Sequence, residues 1–307
     1  MQRFKSQSAM EYLMTYGWAL LIIAVVLVAF YQLGVFGNAI GAPRAVPGGC
    51  QVVKTIAGSS LDGECQGQLP QYVASIPETS TQQSYVQIPD SSSLDSFNTL
   101  TVSAWVYPGT QLATNPLGTV DHEVLSKGQD MCAGYTGDGA FSLMGGAGTT
   151  SEFEFCIATT SAQQFGTTPA YVVTPGSWYF VTGTFNGAAI CLYVNGILVS
   201  CTATAGSIQS GTGNVLEIGV DSNGGNPWKR AFNGQVADVQ VYNTSLSSNE
   251  IWSLYSEGIG GAPIRPQSIE GWWPLNGNPN DYSENNNNGA VNGILYSSSW
   301  INSYTPP

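Results

Sequence analysis

Two hydrophobic patterns divide this chain. Between Gly17 and Phe36 the residues GWALLIIAVVLVAFYQLGVF form one apolar run in which Gln32 is the strongly polar interruption. As a helix such a run spans about 30 Å, the hydrocarbon thickness of a bilayer. From Cys50 onward the chain changes to short alternating segments separated by Gly, Asn, Asp and Ser. TVSAWVY (101–107), WYFVTGTF (178–185), LEIGV (216–220) and VADVQVY (236–242) are of this kind. Alternation with period two predicts strands that turn one face to a core, and many such strands with turn residues between them predict a sandwich or barrel. Residues 38–49, NAIGAPRAVPGG, are small, Gly-rich and Pro-containing, and read as a linker between the two parts.

Within the body some local features are sharp. In CLYVNGILVSC (191–201), Asn195-Gly196 is a strong two-residue hairpin turn. That turn sets Val194 opposite Ile197 and hence Cys191 opposite Ser200, so a Cys191–Cys201 bridge requires a bulge in the hairpin. In VADVQVY, strict alternation puts Ala237, Val239 and Val241 inward and Asp238 and Gln240 outward. One helix is expected in SSNEIWSLYSEGI, with Ser247 and Glu250 as a capping box and Gly258 as its stop.

Composition narrows the function. The chain has 307 residues, eight Lys+Arg, and a net charge of −12, which gives no footprint for binding phosphates and excludes nucleic acid as the expected partner. Six cysteines and one histidine, with no CxxC pair, do not read as a zinc site. Beside an export-type N-terminus they favour disulfides, paired by sequence proximity as Cys50–Cys65, Cys132–Cys156 and Cys191–Cys201.

The N-terminus is more specific than a membrane helix alone. Arg3 and Lys5 precede the run and place the N-terminus on the cytoplasmic side. A secretory signal cut after Ala39-Ile-Gly41 is one reading, but the run is longer than the usual apolar core of such signals. Lys5-Ser6-Gln7, with Glu11 at the fifth position after the Ser6–Gln7 bond and a long apolar helix behind it, resembles the class III signal of archaeal type IV pilin-like proteins. Ser6 stands where Gly is more usual. The resemblance implies a signal peptide of residues 1–6 removed by a prepilin peptidase and a hydrophobic helix over 7–37. It also implies that the new ammonium of Gln7 pairs with Glu11 of a neighbouring subunit in a filament. A carboxylate in an apolar setting is tolerable when paired.

SYVQIPDSSSL, TVSAWVYPG, SWYFVTGTFNGAAICLYVNGILV, LEIGVDSNGG and FNGQVADVQVYNTSLSSNEIWSLYSEG follow one another over about residues 84–258. Together they resemble the laminin-G-like jelly roll of the concanavalin A type, which implies two antiparallel sheets of about six strands each within residues 50–307. GWWPLNGNPNDYSENNNNG (271–289) is similar to the opening strand of that family but sits near the C-terminus. The expected fold is therefore an N-terminal hydrophobic helix plus an all-β, circularly permuted jelly roll. The tail strand docks in its own domain or, as the alternative, on a neighbour.

The resemblance also implies calcium, with Asp281, Asn285 and Asn287 as oxygen ligands and Asp238 as a contributor, although an outward strand Asp is the simpler reading of Asp238. Glycan binding needs an aromatic platform, and Trp228, on a loop beside Lys229 and Arg230, is the candidate. Of Trp272 and Trp273, at least one is expected in the core. Asn243-Thr-Ser is a glycosylation sequon. Catalysis has little support: Glu152 and Glu154 alternate on one strand without the rest of a glucanase pattern, and Asp121-His122-Glu123 has no nucleophile elbow beside it. The expectation is a non-enzymatic, pilin-like filament subunit. It sits in the cytoplasmic membrane before assembly and then projects an adhesive, lectin-like head from the cell surface. The alternatives are a single-pass anchored carbohydrate-binding protein that does not polymerise and a surface glycoside hydrolase.

Overall fold

The computed structural model describes residues 16–26, 43–77, 84–109, 122–128, 139–145, 151–160, 165–221 and 231–307. Ser6, Gln7, Glu11, Asp121, Cys132 and Trp228 lie outside the described residues. The chain forms two compact units, residues 1–42 and 43–307. In the first, α1 covers 16–26 and presents Trp18, Leu20, Leu21, Ile22, Ile23 and Val25 as exposed side chains. Among the described residues no helix is long and apolar enough to cross a membrane. The remainder of the apolar run lies outside them.

The second unit begins with two small strand pairs. β1 (Arg44–Ala45) runs parallel to β4 (Leu69–Pro70), and β2 (Cys50–Thr55) pairs with β3 (Gly58–Gly63) in a hairpin joined to the following loop by Cys50–Cys65. Among the described residues two antiparallel sheets make up the body, each of eight strands where about six were expected. The first runs β11 (Phe165–Thr167), β10 (Ser151–Ala158), β9 (Phe141–Met144), β8 (Glu123–Lys127), β16 (Leu216–Ile218), β6 (Tyr85–Ile88), β19 (Ala290–Asn292), with β12 (Tyr171–Val173) on the other end of β10. The second runs β15 (Ile197–Ala203), β14 (Ala189–Val194), β13 (Tyr179–Phe185), β7 (Leu100–Pro108), β17 (Gly234–Tyr242), β5 (Val73–Ile76), β20 (Leu295–Ser297), with β18 (Ile269–Trp273) on the other half of β17.

The core lies between the sheets. Val102, Ala104 and Val106 of β7, Val181 and Phe185 of β13 and Trp273 of β18 join Val86, Leu125, Phe141, Phe153 and Phe155 of the other sheet in one buried cluster. Each such large apolar side chain contributes about 1.5–3 kcal/mol by leaving water. Gly183 in β13 is required by this packing: a Cβ there would sit 2.2 Å from the Phe155 ring. At one corner, α2 (Ser248–Glu257) lays Tyr255 against Trp105 and Phe180. Its capping box of Ser247 and Glu250 and its stop at Gly258 form as the sequence predicts.

The hairpin of β14 and β15 also follows its sequence. Asn195 and Gly196 adopt the left-handed φ values of 52° and 74°. The register then skips Val199, so Leu192 faces Ser200 and Cys191 faces Cys201, where the disulfide forms. Cys156 is disulfide-bonded too.

The C-terminal strands dock in their own domain. β18 pairs with β17 from Val239 to Tyr242, beside the segment of β17 that pairs with β5. β19 closes onto β6 and β20 onto β5. The junction on β17 corrects one expectation. Asp238 has φ 49°, and the ladder to β7 shifts register between Ala237 and Gln240. Across this break Val236, rather than Ala237, joins Val239 and Val241 in the core cluster. Asp238 and Gln240, expected to face solvent, are 2% and 1% exposed because Trp272 and Gly261 cover and hydrogen-bond them. Far from this junction, Lys127 at the end of β8 is 0% exposed and lies 2.8 Å from Asp90 Oδ1 and 3.2 Å from Asp95 Oδ1.

Candidate functional site

The Asn-rich loop 280–289 is organised by Asp281. Its Oδ1 accepts from the backbone N–H of Trp272 at 3.0 Å and of Ser283 at 2.8 Å. Its Oδ2 accepts from Ser283 Oγ at 2.9 Å and from Asn287 N at 2.8 Å. Four donors on one carboxylate hold the turn in shape, and Glu284 and Asn286 follow with φ of 71° and 59°. Asn287 Nδ2 donates to Ser93 Oγ and to Glu270 O, and Asn287 O accepts from Trp273 Nε1 at 2.8 Å. Both tryptophans of GWWPL are buried.

Asn285 faces a different set of partners. Its Nδ2 donates to Glu270 O and to Glu270 Oε2, each at 2.9 Å, and its Oδ1 accepts from Lys54 Nζ at 2.9 Å. Lys54 Nζ also donates to Ile269 O at 3.1 Å, and the Lys54 N–H donates to the Glu284 carboxylate. Val52 N donates to Tyr282 O at 2.8 Å, so β2 is seated along the loop. Glu270 additionally accepts from Asn243 Nδ2, which brings the exposed sequon asparagine into the cluster. Burial pushes the Glu270 carboxyl up, opposed by the Lys54 charge and by the two asparagine hydrogen bonds.

Beneath this surface lies Asp238. Its Oδ1 accepts from Trp272 Nε1 at 2.8 Å and from Gln240 Nε2 at 3.0 Å, and Tyr242 OH donates to Gln240 Oε1 at 2.5 Å. Burial pushes its carboxyl up to about 7, opposed by those two hydrogen bonds, and the nearby Glu257 raises it further. The four residues expected around calcium are therefore differently placed. Asp281, Asn285 and Asn287 share one loop, while Asp238 is sealed in the interior. A calcium ion in the loop would have to displace four hydrogen-bond donors from Asp281 and an ammonium from Asn285. Among the described residues no three His, Cys, Asp or Glu side chains gather as a metal cluster.

Beside the loop is an open cleft lined by the Cys50–Cys65 bridge, Glu64, Gln68, Gly260, Trp272 and Asn276. Sequence reasoning missed it because its walls come from β1, β2, the loop before β4 and the tail, which only the closed fold brings together. Glu152 and Glu154 are half-buried on one side of β10, with Phe153 and Phe155 in the core on the other. His122 is buried, with Nδ1 2.8 Å from Ala231 O. Trp252 of α2 is 51% exposed.

Two stacked antiparallel sheets with this strand order define a jelly-roll sandwich. The chain belongs to the concanavalin A-like lectin/glucanases superfamily, whose Laminin_G_3 model matches residues 80–252, more than half of its length. No curated protein matches the sequence. Among solved structures, a proposed carbohydrate binding protein from Bacteroides ovatus superposes with a TM-score of 0.52 at 14% identity, over 78% of this chain and 62% of that one. This chain thus spans less than two thirds of that relative. A heptameric SAP-like pentraxin from Limulus polyphemus superposes with a TM-score of 0.50 at 16% identity, over 74% of this chain and 94% of that one. At such identities the likeness shows the shared sandwich.

Proposed function

We propose that this protein is a membrane-inserted, pilin-like surface subunit whose jelly-roll head binds carbohydrate without catalysis. Membership of the concanavalin A-like superfamily carries the reading of the head, and the Bacteroides ovatus relative described as carbohydrate-binding supports it. The filament role rests on sequence: Lys5-Ser6-Gln7, Glu11 and the apolar run to Phe36. Cleavage at Ser6–Gln7 by a prepilin peptidase leaves an ammonium on Gln7 that pairs with Glu11 of the next subunit and fixes the axial register of the packed helices. The head then stands outside the cell, with its disulfides in an oxidising compartment.

Glycan-array binding of the detergent-solubilised full chain tests the head, with Trp228→Ala expected to abolish the signal. Retention of all binding by that variant removes Trp228 from the site, and an array without hits overturns the lectin reading. N-terminal sequencing of mature protein from expressing cells, together with electron microscopy of the cell surface, tests the stem. A start at Gln7 with filaments containing the protein is expected. A start at Ala42 overturns the pilin reading. A start at Gln7 without filaments leaves the anchored, non-polymerising lectin.

A further inference from the structure

Lys54, Glu270 and Asn285 come from β2, β18 and the Asn-rich loop, and they meet around one carboxamide. Lys54 Nζ is 2.9 Å from Asn285 Oδ1, and Asn285 Nδ2 is 2.9 Å from Glu270 Oε2. An ammonium only donates and an ionised carboxylate only accepts, so the amide orientation is fixed from both sides. Its oxygen faces the lysine and its nitrogen faces the acid. The lysine and the amide are also anchored at β18: Lys54 Nζ on Ile269 O at 3.1 Å and Asn285 Nδ2 on Glu270 O at 2.9 Å. All three side chains are half-buried. An amine, a carboxamide and a carboxyl held together are the components of an acyl transfer.

We propose that Lys54 and Asn285 become joined by an intramolecular isopeptide bond, with Glu270 relaying the proton. Rotation about the last lysine bonds carries Nζ from the amide oxygen to the face of Cγ. The Lys54 ammonium first releases one proton to water, which the departing ammonia later takes up. The neutral amine then attacks, the Nζ–Cγ bond forms, and the carbonyl electron pair moves onto Oδ1. Glu270 accepts a proton from Nζ and gives one to Nδ2. The Cγ–Nδ2 bond then breaks with its electron pair on nitrogen, ammonia leaves, and the carbonyl re-forms. Ammonium and primary amide become secondary amide and an ammonium ion, so atoms and charge balance and no oxidant or reductant is consumed. Amides are poor electrophiles, and the reaction depends on held proximity, which is worth several powers of ten in effective concentration. The Glu270 carboxyl already lies within hydrogen-bond reach of the leaving nitrogen, which is the position a proton carrier needs. The bond would tie the hairpin that follows the linker directly to the loop of the C-terminal strands.

The test is peptide mapping of the purified full chain after reduction, alkylation and trypsin digestion. The expected result is no cleavage after Lys54 and one branched peptide joining residue 54 to residue 285, lighter by one ammonia than its two parts. Glu270→Gln and Lys54→Arg are each expected to lose the branched peptide completely, with the circular dichroism spectrum of the sandwich retained. Wild-type protein cut after Lys54, with a free carboxamide at Asn285, overturns the proposal whether or not the variants fold. Mass alone does not decide the matter, because succinimide formation at Asn195-Gly196 or cyclisation of an exposed Gln7 also releases ammonia. Neither joins two peptides.

Discussion

Two lysines, Lys127 and Lys54, leave the surface of this domain on different terms. Lys127 is fully buried and holds two carboxylates, Asp90 and Asp95, while donating to Asn214 O at 2.6 Å. Lys54 is half-buried and holds a neutral amide and a backbone carbonyl, with Glu270 one group further away. In the first setting charge is matched to charge, and the ammonium lowers the Asp90 carboxyl, chiefly by its hydrogen bond. In the second an acid stands behind an amide rather than against the lysine. One arrangement is a buried ion pair, whose worth lies in not leaving its acids alone. The other brings together groups that can react.

The largest expected effect comes from breaking the first arrangement. Lys127→Met leaves Asp95 in a nearly closed site without its cation and should cost about 3 kcal/mol in denaturant unfolding. Adding Asp95→Asn should recover about 1 kcal/mol of that, because the stranded charge is then gone. A double variant no more stable than the single one would mean that the loss is packing. Asp238 supplies the third setting, a buried acid whose hydrogen-bond donors, Trp272 and Gln240, are neutral. Its folded-state carboxyl lies at about 7 against 3.8 for the ordinary group, so the folded state keeps its proton over the interval in which the unfolded chain releases it. Stability should therefore fall as pH rises from about 4 to about 7. Asp238→Asn, which keeps an acceptor for Trp272, should flatten the melting temperature across that window. The smallest expected effect is that of calcium removal. With four donors on Asp281 and an ammonium on Asn285, EDTA should leave the melting temperature unchanged, and a drop reversed by added calcium would show that the loop rearranges around the ion.

The sequence made the local chemistry of the fold readable. Asn195-Gly196 with two cysteines at unequal distances from it demanded a bulge, and Val199 supplies it. Ser247 and Glu250 marked where α2 begins. GWWPLNGNPNDYSENNNNG, out of its expected order, marked the tail as part of the sandwich, and β18 and β19 are placed accordingly. What stayed hidden depends on backbone breaks and on distance. Alternation shows which residues share a face and not what covers it, so it left Asp238 and Gln240 to solvent where Trp272 and Gly261 close over them. The oxygen-rich look of the Asn-rich loop was real, but its oxygens were matched by donors from Trp272 and from Lys54, the latter 231 residues away. No local pattern joins β2 to that loop, and the cleft beside it was equally out of reach.

The late placement of the closing strands also bears on how the head is made. β5 lies between β17 and β20, β17 is completed by β18, and β6 is covered by β19. Strands of the first third of the body thus wait for partners from residues 269–297, and contacts so distant in sequence form slowly. A ribosome that has made only the first sheet partners holds a chain that cannot yet close. In the membrane-inserted reading proposed above, the N-terminal segment would therefore engage the bilayer while the body behind it is still open enough to be threaded across.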